Sequence, residues 1–187
     1  MKRQIFWTTL FITFVTFLSS CNDSDSDDIP EIDAKIMVNG APLNIYGVTV
    51  DLPDNSKSEE DKLVHVDFIL HKKNPSGIYP IDGRIFRVGF SVGYIGEKTI
   101  IDLSDKNAIF SGRISTGAGD NGIWGNFLPG ISSGTVAINL NPTTNDVYFD
   151  FDAKAVADPY DEEMNQEPNL FDVVGVVTGK GYFNDKY

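Results

Sequence analysis

A single cysteine, Cys21, serves all 187 residues, so neither an intrachain disulfide nor a cysteine-rich metal site can form. Histidine is nearly as scarce, with only His65 and His71. Positive charge is short as well: 15 Lys and Arg stand against 27 Asp and Glu, a net charge of −12. Such a surface repels phosphate backbones and anionic lipid heads, which excludes nucleic acid as a partner. No apolar run reaches the roughly 17–25 residues of a membrane-crossing helix. Beyond Leu18 no stretch carries a helical period of apolar residues.

What is present begins at the front. Lys2 and Arg3 precede a short apolar run from Ile5 to Leu18, and the small residues Ser19 and Ser20 follow. A charged start, a short apolar run and small residues form the layout of a secretory signal peptide. Leu18-Ser-Ser-Cys21 resembles the lipobox of bacterial lipoproteins. The resemblance implies a diacylglyceryl group on the Cys21 thiol, with cleavage just before it freeing an amine for further acylation. A thiolate is the side chain nucleophilic enough for that alkylation. Two or more acyl chains hold a protein on a membrane without any spanning helix, each buried methylene contributing about 0.8 kcal/mol. The plain alternative is an ordinary signal peptide with an incidental cysteine.

Asp23, Asp25, Asp27, Asp28 and Glu31 then crowd a stretch with almost nothing apolar. Such a segment cannot bury enough surface to order itself. It reads as a flexible tether of about ten residues, reaching at most roughly 35 Å. Acids just behind the lipid cysteine resemble the surface-export signal of Bacteroidota lipoproteins, which implies an outer-membrane anchor and a cell-surface position. A solvated spacer on a periplasm-facing protein is the alternative. The expected organisation is a signal peptide over 1–20, lipidated Cys21 and tether over 21–31, and one domain over 32–187. Removal of residues 1–20 takes Lys2 and Arg3 and leaves 13 basic against 27 acidic residues, a net −14.

Within the domain the period is two. Val64, Val66, Phe68 and Leu70 alternate with polar residues, as do Phe86, Val88, Phe90 and Val92, then Val136, Ile138 and Leu140, then Val147, Phe149 and Phe151. Strict alternation marks half-buried strands. Further strands are expected over 34–38, 43–52, 99–103 and 108–115. The run 170–177 is apolar on both faces and reads as a central strand. Asn39-Gly40 is the strongest short hairpin signal. The fold class is therefore all-β: a single antiparallel β-sandwich or barrel-like domain of eight or nine strands. The segments "AKIMVNG", "SGIYPI" and "VYFDFDAKAVA…VVGVVTGKGYF" resemble small β-sandwich lipoproteins of the Bacteroidota. That resemblance implies the fold and supplies no catalytic residues.

Several motifs fail on inspection. Gly117-Ala-Gly-Asp-Asn-Gly122 matches the dinucleotide fingerprint, but Gly125 and Pro129 forbid the helix that must follow. Gly130-Ile-Ser-Ser-Gly134 matches a nucleophile elbow, yet a strand follows it and both histidines come earlier. His65 and Asp67 lie about 6.6 Å apart on one strand face, near enough to share a metal. His71 lies about 20 Å from His65 along a straight strand. With no third ligand in view, a polar outer face is the simpler reading, and no metal is assigned. Asp150 and Asp152 share a face with Tyr148 and Lys154, and paired carboxylates at roughly 5–9 Å can work a glycosidic bond. Solvated neighbours on an open face are the simpler account, so no catalytic residue is assigned. The loop Asp158–Glu167 holds five acids and can offer oxygens to Ca²⁺, but it lacks the D-x-D-x-D-G spacing of a specific site.

The segment 116–133 reads as a long glycine-rich loop, and long loops are commonly functional. Its Trp124 and Phe127 are the candidate ligand-binding rings, able to stack on a sugar or a partner surface. The alternative is that Trp124 folds back to plug the end of the domain. Two classes of function follow. One is a non-enzymatic binding or accessory module whose ligand is a glycan or an envelope protein. The other is an envelope hydrolase built on Asp150 and Asp152, with a fimbrial subunit as a third reading. A cleft holding convergent carboxylates would favour the enzyme, and an open face with rings would favour the binder.

Overall fold

The computed structural model describes residues 31–53, 62–71, 84–117, 124–157 and 170–185. The signal peptide, the tether up to residue 30, the G-x-G-x-x-G run from Ala118 onward and the acidic loop 158–167 lie outside these residues. Among the described residues there is no α-helix, and no helix long and apolar enough to cross a membrane.

Alternating apolar residues become strands because an extended chain sends successive side chains to opposite faces. β1 spans Ile32–Val38, β2 Ala41–Leu43, β3 Gly47–Leu52 and β4 Leu63–Ile69. β5 spans Ile85–Ser91, β6 Thr99–Asp102, β7 Phe110–Ser115 and β8 Trp124–Phe127. β9 spans Ser133–Asn141, β10 Asp146–Ala157, β11 Leu170–Lys180 and β12 Tyr182–Asp185. β4 buries Val64, Val66 and Phe68 and turns His65 outward. β10 carries the same alternation over twelve residues, burying Val147, Phe149, Phe151, Ala153 and Ala155.

The twelve strands form one strongly curled sheet, paired in the order β12-β3-β4-β5-β7-β8-β10-β11-β1-β2, with β9 on β10 and β6 on β9. All pairs are antiparallel except β12 with β3. β10 makes the curl. Its Asp146–Lys154 stretch pairs with β9, and Val156 and Ala157 beyond it pair with β8. One edge of one long strand thus serves two arms of the sheet. The arms also meet where β11 runs through Gly181 into β12.

The arms pack face to face through phenylalanines. Phe68 of β4 stacks on Phe86 of β5 at 4.2 Å between ring centroids and meets Phe149 of β10 edge-on at 5.1 Å. Phe86 approaches Phe151 of β10 at 5.2 Å. Offset and edge-on pairs of this kind contribute roughly 0.5–1.5 kcal/mol each beyond the area they bury.

Three differences from the sequence reading take the strand number from nine to twelve. The stretch expected as one strand over 43–52 is two, because the chain leaves β1 at Leu43 and joins β4 in the other arm at Gly47. Tyr46 marks the crossing, its backbone N–H donating to the Ile69 carbonyl. The segment expected as a loop over 116–133 contains β8 and the first residue of β9. β12 is the third addition; it follows directly on β11 but pairs with β3. The Asn39-Gly40 hairpin is as expected: both residues have positive φ, 49° and 77°, and β1 pairs with β2 across them. Those angles are the left-handed pair that a two-residue turn of this type requires. β11 lies between β10 and β1, in the central position its two apolar faces indicated.

Candidate functional site: a polar groove on the outer face

Register sets the outward residues of β9, β10, β11 and β1 side by side. Asn139, Tyr148, Thr178 and Asp33 form one cross-strand row. Asn141, Asp146 and Lys180 form the next, and the backbone N–H of Lys180 donates to the Glu31 carbonyl beyond it. These rows line an open groove of about 570 Å³, with Gly96 at its side. Its walls are amide, hydroxyl, carboxylate, one ammonium and one phenol ring, with Val147 and Gly179 between them.

Tyr148 is half-buried, and Lys98 sits over its ring at 4.7 Å from the centroid. The Tyr148 hydroxyl donates to Asp150 at 3.3 Å. At the groove's end Lys180 bonds Asp146 and donates to the Thr144 carbonyl at 2.8 Å. The Thr144 hydroxyl also donates to Asp146. The Lys180 ammonium, and after it the Thr144 hydroxyl, hold the Asp146 carboxyl below the usual carboxylate value. Beyond Lys180 lies a second hollow of about 400 Å³, lined by Thr144, Asn145, Tyr182 and Asn184.

The residues singled out in the sequence lie elsewhere. Trp124 is half-buried on the outer face of β8, and the Arg113 guanidinium lies over its ring at 4.5 Å. It neither plugs the core nor stands free as a platform. Phe127 faces the other way and is fully buried among Phe86, Phe110 and Phe151. It therefore has no face to offer a ligand, which corrects its assignment as a binding ring. The loop premise fails for both, since β-pairing with β7 fixes them.

Asp150 and Asp152 do share the outward face of β10, but their cross-strand neighbours are Ala137, Val176, Thr135 and Val174, and neither lines the groove. Asp67 is held by Arg87 through both guanidinium and carboxylate branches, one of them at 2.6 Å. The hydrogen bond to Asp67 raises Arg87 above its ordinary value, against a lowering by burial. Among the described residues no three His, Cys, Asp or Glu side chains converge on a metal position. Ser132, the central serine of the elbow match, is buried in a turn. Its hydroxyl accepts from the Leu128 N–H at 2.9 Å and donates to the Asn126 carbonyl. Cys21 and the acidic loop 158–167 lie outside the described residues.

Of the groove, the sequence reading caught only Tyr148, as a face-mate of Asp150. Asn139, Thr178 and Asp33 reach it from three other strands, and only the pairing register brings them in. Comparison with known families, with curated proteins and with solved structures finds no match.

Proposed function

We propose that this chain is a lipid-anchored, surface-exposed binding protein of a bacterial outer membrane, without enzymatic activity, that presents the β1–β9–β10–β11 groove to a glycan or envelope-protein ligand. The anchor rests on Lys2 and Arg3, the apolar run to Leu18, and Cys21 behind two serines. The curled sheet with its arms packed face to face agrees with a β-sandwich lipoprotein, whose single domain is a rigid platform for a site on one face. The observation that carries the binding reading is the groove itself. It is open and lined from four strands by side chains that donate and accept hydrogen bonds, and Asp150 and Asp152, the pair the hydrolase reading needs, do not line it. Glu31 and Asp33 place it at the point where residues 21–30 join the domain, within roughly 35 Å of a lipid on Cys21.

Two measurements test this reading. Palmitate labelling and membrane fractionation should both be lost in Cys21→Ser; a variant that still labels and sediments with membranes overturns the anchor. Whole-cell crosslinking and polysaccharide retention should both be compared between the native protein and a Thr178→Arg variant, which fills the groove from an exposed position. Ligand capture that is unchanged in Thr178→Arg overturns the groove as the binding site.

A further inference from the structure

We propose that the open edge of β6 docks a second copy of this chain, the two β6 strands pairing antiparallel about a two-fold axis at Ile100. This surface is separate from the groove, and the inference does not depend on what the groove binds. β6 pairs with β9 alone, so among the described residues its other edge has no strand beside it. The phase of the β9 pairing decides which groups that edge presents. Leu103 donates its backbone N–H to the Gly134 carbonyl at 2.9 Å. Successive residues of an antiparallel strand direct their backbone hydrogen bonds to opposite sides. Thr99, Ile101 and Leu103 therefore aim their groups at β9, and Ile100 and Asp102 aim theirs at the open edge.

The side chains along this edge suit a copy of themselves. Ile101 and Leu103 are buried in the core, while Ile100 and Asp102 are exposed, with Lys98 exposed just ahead of the strand. Ile100 is 67% exposed, more than any other large apolar side chain among the described residues. An open edge with an apolar residue at its middle recruits another strand. Two-fold pairing sets Ile100 against the partner's Ile100, with two backbone hydrogen bonds and a Cα separation of about 5.5 Å. The same pairing sets Lys98 against the partner's Asp102 at both ends. The stretch 98–102 is self-complementary in this direction only, since a parallel copy would set like charge against like. The Ser104 hydroxyl and backbone N–H donate to Asp102 Oδ1 at 2.7 and 2.9 Å and hold its carboxyl below the ordinary value, so it stays charged. Lys98 lies over Tyr148 and donates to its hydroxyl at 3.4 Å, an exposed contact that its long stem can exchange for the partner's Asp102. A turn closed by the Asp105 N–H on the Asp102 carbonyl ends the edge there. So short a pairing buries less than the roughly 1,200–2,000 Å² of stable interfaces, which makes the association reversible and dependent on concentration.

The test uses the purified full-length chain in detergent, concentrated to about 0.5 mM so that a weak contact is populated. Ile100→Cys is oxidised with copper–phenanthroline and run on a non-reducing gel. Facing Cα atoms about 5.5 Å apart suit a disulfide, so a reducible dimer should form about tenfold faster than in Ile85→Cys. Ile85 is also exposed but lies on β5, in the other arm of the sheet. The unsubstituted chain, treated alike, reports any dimer made through Cys21. Two charge variants then read the register. Lys98→Asp and Asp102→Lys, each combined with Ile100→Cys and differently tagged, should self-crosslink about tenfold more slowly than Ile100→Cys alone, because like charges meet at both ends. Mixed, they should crosslink to one another at the parent rate, because each meets the opposite charge at both ends, and that mixed dimer shows that both variants fold. Ile100→Cys that crosslinks no faster than Ile85→Cys overturns the edge pairing. Self-crosslinking of either charge variant at the parent rate overturns the antiparallel register.

Discussion

Trp124 and Phe127 stand three residues apart on one four-residue strand and meet opposite surroundings. Phe127 is fully enclosed by rings from β5, β7 and β10. Phe127→Ala should therefore cost about 3–5 kcal/mol, the range for buried aromatic truncations. Trp124 keeps one face under Arg113 and lies on the outer side of the sheet. Trp124→Ala should cost only about 1–2 kcal/mol, a cation–π contact of about 0.5–1 kcal/mol plus partial burial. Urea denaturation of the two variants checks the order, and equal losses would place Trp124 in the core. Between them sits Gly125, whose missing side chain makes room for Phe171. A Cβ there would lie 1.5 Å from the Phe171 ring. Gly125→Ala should lose roughly 1–3 kcal/mol by overpacking. Adding Phe171→Leu should recover part of that loss in the same denaturation series, because the two changes share one space.

At the scale of an element, the end of the β10–β11 pair combines a turn, an ion pair and the groove. Asn141 accepts from the backbone N–H groups of Thr143 and Thr144 at 3.0 and 3.3 Å, and Asn145 takes a positive φ of 59° to reverse the chain. Asp146 then lands opposite Lys180. Because the folded chain holds the Asp146 carboxyl below its unfolded value, the ionised form contributes stability above the unfolded value. That contribution disappears as pH falls through the folded value. The pair is exposed, so its effect on global stability is small. Lys180→Ala should move the Asp146 titration upward toward the ordinary carboxylate range, which ¹³C-detected carboxyl NMR reads directly. An unmoved titration would assign the depression to the Thr144 hydroxyl instead.

At the scale of the whole molecule, stability depends on how the curled sheet ends. β3 buries Val48 and Val50 completely, and β12 covers its outer edge through four parallel pairings. Phe183 packs against the core from that strand. A chain ending at Gly181 would leave β3 as an apolar edge with a row of unpaired backbone groups, the geometry that recruits other chains. Such a truncation should lower the unfolding temperature and drive self-association, measured by thermal melts and light scattering. A monomeric truncation with unchanged melting would show β12 to be dispensable. The opposite end of the pairing order is protected differently. β2 is three residues long with Pro42 in the middle, and proline removes a donor from the open edge.

The sequence by itself determined the parts of this protein that depend on neighbours in the chain. The alternation in β4, β5, β9 and β10, the central character of β11, and the Asn39-Gly40 turn are local, because side-chain period and backbone φ are local properties. The signal, Cys21 and the acidic tether expected at the front are likewise read within a few residues of one another. Tertiary structure decided what depends on partners far along the chain. The break between β2 and β3 exists because the two halves pair in different arms. WGNF becomes a strand because β7 and β10 supply hydrogen bonds to a segment whose own residues read as a loop. The groove is the clearest case. Asp33, Asn139, Tyr148 and Thr178 are scattered over 145 positions of sequence and become a row only through register. A one-residue slip in any of those strands would turn its contribution into the core.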